Sequence, residues 1–304
     1  MGYHLIETRH PLSTDDRNAA QALLAANAKH FATFDGTLRA AYDAMTAMTP
    51  IAPDLVAEEV STGAVRGWWL RPRDACADRA ILFLHGGAYM LGSAQGYRGF
   101  ASQIAARTGV ATFVLDYPLA PENPFPAAVE ATLAARRWLH VQGITNIALI
   151  GDSAGGALAL SILSNDITGI ASVVVFSPWI DLTLSGASML SSDTMDPVFQ
   201  PATLANAAAT YLNGTAAQDG RASPLFALPA HLPPLAIQVG TDELLFDDAR
   251  RYAVAAVALG GTVHLDIYDG MHHVFQRSTR ELASARAALD AAAQFVDMHW
   301  AAGS

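Results

Sequence analysis

Gly151-Asp152-Ser153-Ala154-Gly155 is a G-x-S-x-G pentapeptide. A serine hydroxyl is a weak nucleophile. It becomes useful only beside a base that takes its proton and an acid that orients the base. The setting of the pentapeptide matters more than its pattern: it follows the apolar run Ile147 to Ile150 and opens the helical stretch Ala154 to Leu163. On such a strand–turn–helix the turn is sharp, the glycines relieve clashes, and the serine sits in a strained conformation. The helix N-terminus behind it favours developing negative charge. The chemistry implied is attack on an acyl carbon.

The base and its acid should follow in the chain order serine, acid, histidine. Asp242, in Gly240-Thr241-Asp242-Glu243-Leu244-Leu245, comes directly after the run 235–239. His273, in Gly270-Met271-His272-His273-Val274-Phe275, comes after the run 263–268. Both stand at the C-terminal ends of strands, at the same sheet edge as Ser153. Asp242 is read as the acid and His273 as the base. Of the adjacent His272 and His273 only one can face the serine. Glu243 is expected to point away from Asp242's direction, and Asp247 and Asp248 to begin the next helix as cap and first-turn acids. His4, His10, His30, His140 and His231 read as surface or filler residues.

An oxyanion needs donors. His85-Gly86-Gly87-Ala88-Tyr89 follows the run 80–84, and consecutive small residues let backbone N–H groups converge. The expected donors are the amides of Gly87 and Ala88, with Gly86 as a further candidate, together with Ala154 after the nucleophile; each is typically worth ~3 kcal/mol in the transition state. His85 is read as shaping this loop. No metal-ligand cluster is visible, since adjacent His272 and His273 lack the helical spacing of a zinc motif, and no cofactor is called for.

Short apolar runs of four to six residues alternate with helical patterns of ten or more from residue 80 onward, which predicts a mostly parallel sheet with helices on both faces. Leu55–Val60 and Val65–Leu70 read as a hairpin around Ser61-Thr62-Gly63. The first 50 residues read as helix, with Leu38, Ala41, Tyr42 and Met45 at helical spacing. Alternation pauses over about 182–222. That insertion and the N-terminal helices are placed together as a cap over the sheet's C-terminal edge. The division is then 1–50 as N-terminal cap segment and 51–304 as catalytic domain carrying the insertion. The strand 263–268 is read as a sheet edge that could pair with a second copy, so a homodimer is open.

With 52% hydrophobic and only 15% charged residues, 304 residues can bury a large core. A formal net charge of -10 with no Lys/Arg run argues against nucleic acid. The single cysteine, Cys76, lies among acids in a turn and excludes an intrachain disulfide. Met1–His10 lacks a secretory pattern and no apolar run spans a bilayer, so no stable membrane insertion and a cytoplasmic location are expected.

Taken in order, His85-Gly86-Gly87-Ala88, Asp116-Tyr117-Pro118-Leu119-Ala120-Pro121-Glu122, Phe125-Pro126-Ala127-Ala128, Gly151-Asp152-Ser153-Ala154-Gly155-Gly156 and Ser177-Pro178-Trp179-Ile180-Asp181 resemble the hormone-sensitive-lipase-like, bacterial family IV esterases. Ser223-Pro224 and the segments around Asp242 and His273 continue the likeness, which covers roughly residues 55 to 300. The resemblance implies the α/β-hydrolase fold with a helical cap. It also implies a small-molecule ester as substrate, with short- to medium-chain acyl groups. Phe34, Tyr89, Trp179, Phe199 and Val274 are candidates for the acyl pocket. Amide, formamide or lactone hydrolysis on the same residues stays open. A non-catalytic receptor is disfavoured by the presence of His273. Two departures stand out: Ala88 replaces the family's usual third glycine, and Pro118 stands where Arg is common, removing an ion pair beneath the site. Asp152 is read as fixing the loop.

Overall fold

The computed structural model describes residues 4–165 and 167–301. Met1–Tyr3 lie outside them, so the reading of Met1–His10 meets structure only from His4 onward. The elements run β1 (Leu5–His10), α1 (Thr14–Thr33), α2 (Leu38–Thr46), β2 (Leu55–Thr62), β3 (Val65–Pro72), β4 (Arg79–Leu84), α3 (Arg98–Thr108) and β5 (Thr112–Leu115). Then follow α4 (Ala127–Val141), β6 (Asn146–Asp152), α5 (Ala154–Ser161), β7 (Ile170–Phe176), α6 (Ala187–Leu190), α7 (Pro201–Leu212), β8 (Leu235–Asp242), α8 (Phe246–Ala258), β9 (Val263–His272) and α9 (Ala283–Ala301).

The described strands form one sheet in the order β1-β9-β8-β7-β6-β4-β5-β3-β2. Only the β2–β3 and β3–β5 pairings are antiparallel. Strand alternation explains the layers. Ile81, Phe83, Ala148, Ile150, Val174 and Phe176 face one side, where Phe100 and Ile104 of α3 and Phe295 and Val296 of α9 cover them. Leu82, Leu84, Leu149, Val173, Val175 and Ile237 face the other, under α4, α5 and α8. Because both faces are covered, the central strands are almost continuously apolar, as a parallel sheet requires.

Two expectations are corrected. The first 50 residues are not all helix: Leu5–His10 is a strand, paired in parallel with β9 from Leu5↔Val263 to His10↔Tyr268. The strand 263–268 is therefore not a sheet edge, and the self-pairing expected through it is closed off. β1 was not recognised because most of its residues stay exposed, so it carries no apolar alternation. Its anchors are polar, with Arg9 on Asp269 and His10 on Asp266, each at 2.7 Å.

Asp247 and Asp248 do sit in the first turn of α8. Asp248 also ties down the chain just before the 182–222 insertion, its Oδ2 accepting from the amides of Ile180 and Asp181 at 3.0 and 3.1 Å. Burial, with Asp181's charge nearby, pushes its carboxyl up to about 8. A carboxyl whose folded pKa is raised contributes stability below the ordinary carboxylate range, and loses it as pH rises from about 4 through about 8. Asp248→Asn keeps an acceptor oxygen and cannot ionise. Thermal melts from pH 5 to 9 should show the wild type losing roughly 5 °C relative to the variant. Parallel pH profiles would remove Asp248 as the cause.

Candidate active site

Ser153 stands between β6 and α5 with φ 53° and ψ -120°, a conformation that costs a non-glycine residue about 1–3 kcal/mol. Neighbouring backbone imposes it. The Ser153 amide donates to the Phe176 carbonyl at 2.9 Å, and its carbonyl accepts from Ala157 and Trp179, each at 3.1 Å. The side chain opens onto a cavity of about 440 Å³ that His273, Gly87 and Ala88 also line. No described helix is long and apolar enough to cross a membrane.

His273 lines the same cavity as Ser153, but the carboxylate that meets its ring is not that of Asp242. The His273 Nδ1 lies 2.9 Å from Glu243 Oε2, and both side chains are almost wholly buried. Glu243 Oε1 accepts from the Gly240 amide at 2.7 Å and from the Ser177 hydroxyl at 2.8 Å. Ser177 in turn accepts from the amide of Val274 at 3.1 Å. The carboxylate is thus satisfied on both oxygens and tied to both strand ends. Asp242 is half-buried, pairs in register with His272, and lines a separate cavity of about 260 Å³ against α1. The physical reason is a register shift between Gly240 and Asp242. Adjacent residues of a strand point to opposite sides, and the shift decides which side Glu243 takes.

In the oxyanion loop the Gly86 amide is already committed, donating to Asp152 Oδ1 at 2.9 Å. This corrects Gly86 as a candidate donor. A side chain at Gly86 would run into the same carboxylate. The amides of Gly87, Ala88 and Ala154 find no acceptor among the described residues. Gly87 has φ 117°, which glycine alone adopts freely. Ala88, a residue type that ordinarily avoids positive φ, takes φ 53°, and Tyr89 follows at 61°. The loop keeps a glycine-like path there at a cost of about 1–2 kcal/mol per residue.

Asp152 fixes this loop, as read. Its Oδ2 accepts from the buried Tyr97 hydroxyl at 3.0 Å, and burial raises its carboxyl against the lowering effect of Arg277. The positive charge missing at Pro118 is thus met by a residue far along the chain. His85 shapes the loop through Nδ1, which donates to the Gly86 carbonyl at 2.8 Å, and its ring stacks on Tyr117 at 4.2 Å. Burial lowers its pKa.

The walls of the cavity come from α1 and α2. Leu24, Ala28 and Phe31 lie on one face of α1, and Leu38, Tyr42 and Met45 on one face of α2, each set spaced i, i+4, i+7. Arg39 ties α2 to the core, with two hydrogen bonds to Glu122 at 3.0 and 2.7 Å and others to the carbonyls of Met90 and Ala120. Of the expected pocket residues, Phe199 and Val274 line the cavity, and Phe199 sets its edge on the His273 ring at 4.9 Å. Tyr89 and Trp179 do not; both are buried, with Tyr89 stacked on Tyr211 at 3.7 Å. Phe34 packs on His30 just past the end of α1, while Phe31 takes the place expected of it. Sequence reasoning missed Leu24, Leu38, Tyr42 and Arg277. The two helical stripes, which have no strand to cover, were the available signal.

Comparison with known proteins agrees with this geometry. Residues 81–277 match a family model described as alpha/beta hydrolase fold. The chain is 39% identical over 243 residues to an acetyl-hydrolase of Streptomyces hygroscopicus, covering 78% of this chain and 81% of that one. It is 34% identical over 265 residues to an esterase of Acinetobacter venetianus, covering 85% and 87%. A crystal structure of an esterase from the bacterial hormone-sensitive lipase family superposes with a TM-score of 0.87 at 36% identity, over 93% of this chain and 98% of that one. With its fold, its serine elbow and these relatives in agreement, the chain belongs to the α/β-hydrolase superfamily as a serine carboxylesterase of the bacterial hormone-sensitive-lipase-like family.

Proposed function

We propose that the protein hydrolyses carboxylic esters of short to medium acyl chain through Ser153, His273 and Glu243. The observation that carries this reading is the buried 2.9 Å contact between His273 and Glu243, at a cavity that also holds the elbow serine. Glu243 keeps Nδ1 protonated, leaving Nε2 to take the Ser153 proton as Oγ attacks the ester carbonyl. The amides of Gly87, Ala88 and Ala154 receive the oxyanion. The intermediate collapses as His273 returns the proton to the departing alcohol, leaving an acyl-serine. Water, deprotonated by His273, then attacks the acyl carbon and releases the acid. α1, α2 and the 182–222 insertion act as the cap, and the apolar cavity of about 440 Å³ beneath them suits a small acyl group. The names of the relatives, esterase and acetyl-hydrolase, point the same way.

A fluorophosphonate should phosphonylate Ser153, read by peptide mass, and Ser153→Ala should remain unlabelled. An inert wild type, or equal labelling of the variant at another serine, overturns the reading. In a p-nitrophenyl ester series, turnover should peak between acetate and octanoate and be lost by palmitate; a palmitate optimum would exclude the small acyl site.

A further inference from the structure

Arg277 lines the cavity of Ser153 one short 3-10 turn after His273, and among the described residues no carboxylate lies within ion-pair distance of it. Its Nη1 donates to the hydroxyls of Tyr42 and Tyr97, each at 3.3 Å. Those hydroxyls are 3.0 Å apart, and Tyr97 donates onward to Asp152. Both Asp152 oxygens are therefore already engaged, by Tyr97 and by the Gly86 amide, and the phenols stand between that carboxylate and the guanidinium. Among the described residues, Nε and Nη2 of Arg277 make no hydrogen bond.

A half-buried guanidinium without a carboxylate is costly. The rings of Tyr42 and Tyr97, with centroids 5.8 and 5.9 Å from its central carbon, offset part of that cost. They leave Nε and Nη2, a pair of donors that matches a planar carboxylate, unused on a residue that lines the cavity. The other charges around it do not occupy that fork. Glu281 lines the small adjoining cavity and is in no ion pair with Arg277, and His272 is neutral above about pH 4. Asn27 and Ser278 add neutral polar groups to the same cavity. In a chain of net charge -10, a cation with unused donors on the wall of the nucleophile's cavity marks a place where an anion is received.

We propose that Arg277 binds a carboxylate carried by the ester substrate, so that the preferred substrates are anionic esters: half-esters of dicarboxylic acids, or acylated hydroxy acids. This rests on the esterase reading and names the substrate class for the same site. Arg277 acts here as a specificity residue, with Tyr42 and Tyr97 holding it in place.

The test uses matched pairs, each corrected for spontaneous hydrolysis. Mono-4-nitrophenyl glutarate is set against 4-nitrophenyl valerate for a carboxylate on the acyl half. For the alcohol half, 4-acetoxybenzoate is set against its neutral methyl ester. In one pair the wild type should favour the anion in kcat/KM by about tenfold or more, the range of a charge-assisted hydrogen bond. Arg277→Gln should bring that anion-to-neutral ratio down to about one or below, through KM, and Arg277→Lys should keep part of it. A wild type that favours the neutral ester in both pairs overturns the proposal. So does Arg277→Gln lowering both members of a pair equally, since a residue that only balanced Asp152 would act on every ester alike. Failure to hydrolyse any of the four would count against the esterase reading instead.

Discussion

Glu243→Gln should lower kcat by roughly 10⁴ on a p-nitrophenyl ester, while Asp242→Asn should change it by less than about fivefold. The direction follows from the partners of Glu243. Two donors, the Gly240 amide and the Ser177 hydroxyl, hold the Oε1 position, so a glutamine places its carbonyl oxygen there. Its NH₂ group then faces His273 Nδ1 and donates to it. That moves the ring proton to Nε2, the atom that must be bare to deprotonate Ser153. The fold is kept and the base is held in the wrong tautomer. Steady-state kinetics on the two variants decide the matter: if Asp242→Asn is the crippled one, the acid is Asp242 after all.

His273→Ala should cost about 10⁵–10⁶ in kcat, because without a base the serine is not activated. His272→Ala should cost less than about tenfold. The two histidines are neighbours in sequence but not in chemistry. Burial, with the charge of Arg277, pushes His272 down to about 4, so it stays neutral across the working range. Loss of activity on acidification between pH 8 and 5 is therefore not a titration of His272, and His272→Ala should leave that limb where it is. A shifted limb, or the larger loss in His272→Ala, would exchange their roles. The pH dependence of kcat/KM for both variants and the wild type is the measurement.

The parts of the site that were legible in sequence share one property: they depend on local pattern and chain order. The apolar runs at 80–84 and 147–150 read as buried strands because both sheet faces are covered. The elbow at Ser153 and the turn at Gly87 and Ala88 lie where the sequence places them because each follows such a run directly. What stayed hidden depends on register or on distance. Asp242 and Glu243 were correctly seen to point apart, but which one meets His273 turns on a shift of the β8–β9 ladder that no residue type announces. Phe31 rather than Phe34 lines the cavity because α1 ends at Thr33, one residue before Phe34. Tyr89 and Trp179 look like rim aromatics until the sheet is folded, and then lie beneath it in the core. Arg277 falls outside every motif the sequence offers. Only the folded chain brings it to Tyr42, 235 positions earlier.

The strand at the start of the chain bears on how molecules enter and leave. β1 is seated along β9 and runs into α1 within a few residues, and Asp16 in the first turn of α1 accepts from the amides of Ala283 and Ser284 at the start of α9. One wall of the entrance is thus bolted to the sheet and to the last helix. The opposite wall, around Pro197 to Phe199, is an irregular stretch. Besides the Phe199 ring on His273, Asp196 holds it, accepting from the amides of Val198 and Phe199 and from that of Leu244. An aperture with one fixed jamb and one stapled jamb widens on the stapled side. Bulky alcohols are therefore expected to pass on that side, so that variants around Asp196, more than variants in the helix that roofs the cavity, should alter the preference for larger leaving groups in kcat/KM.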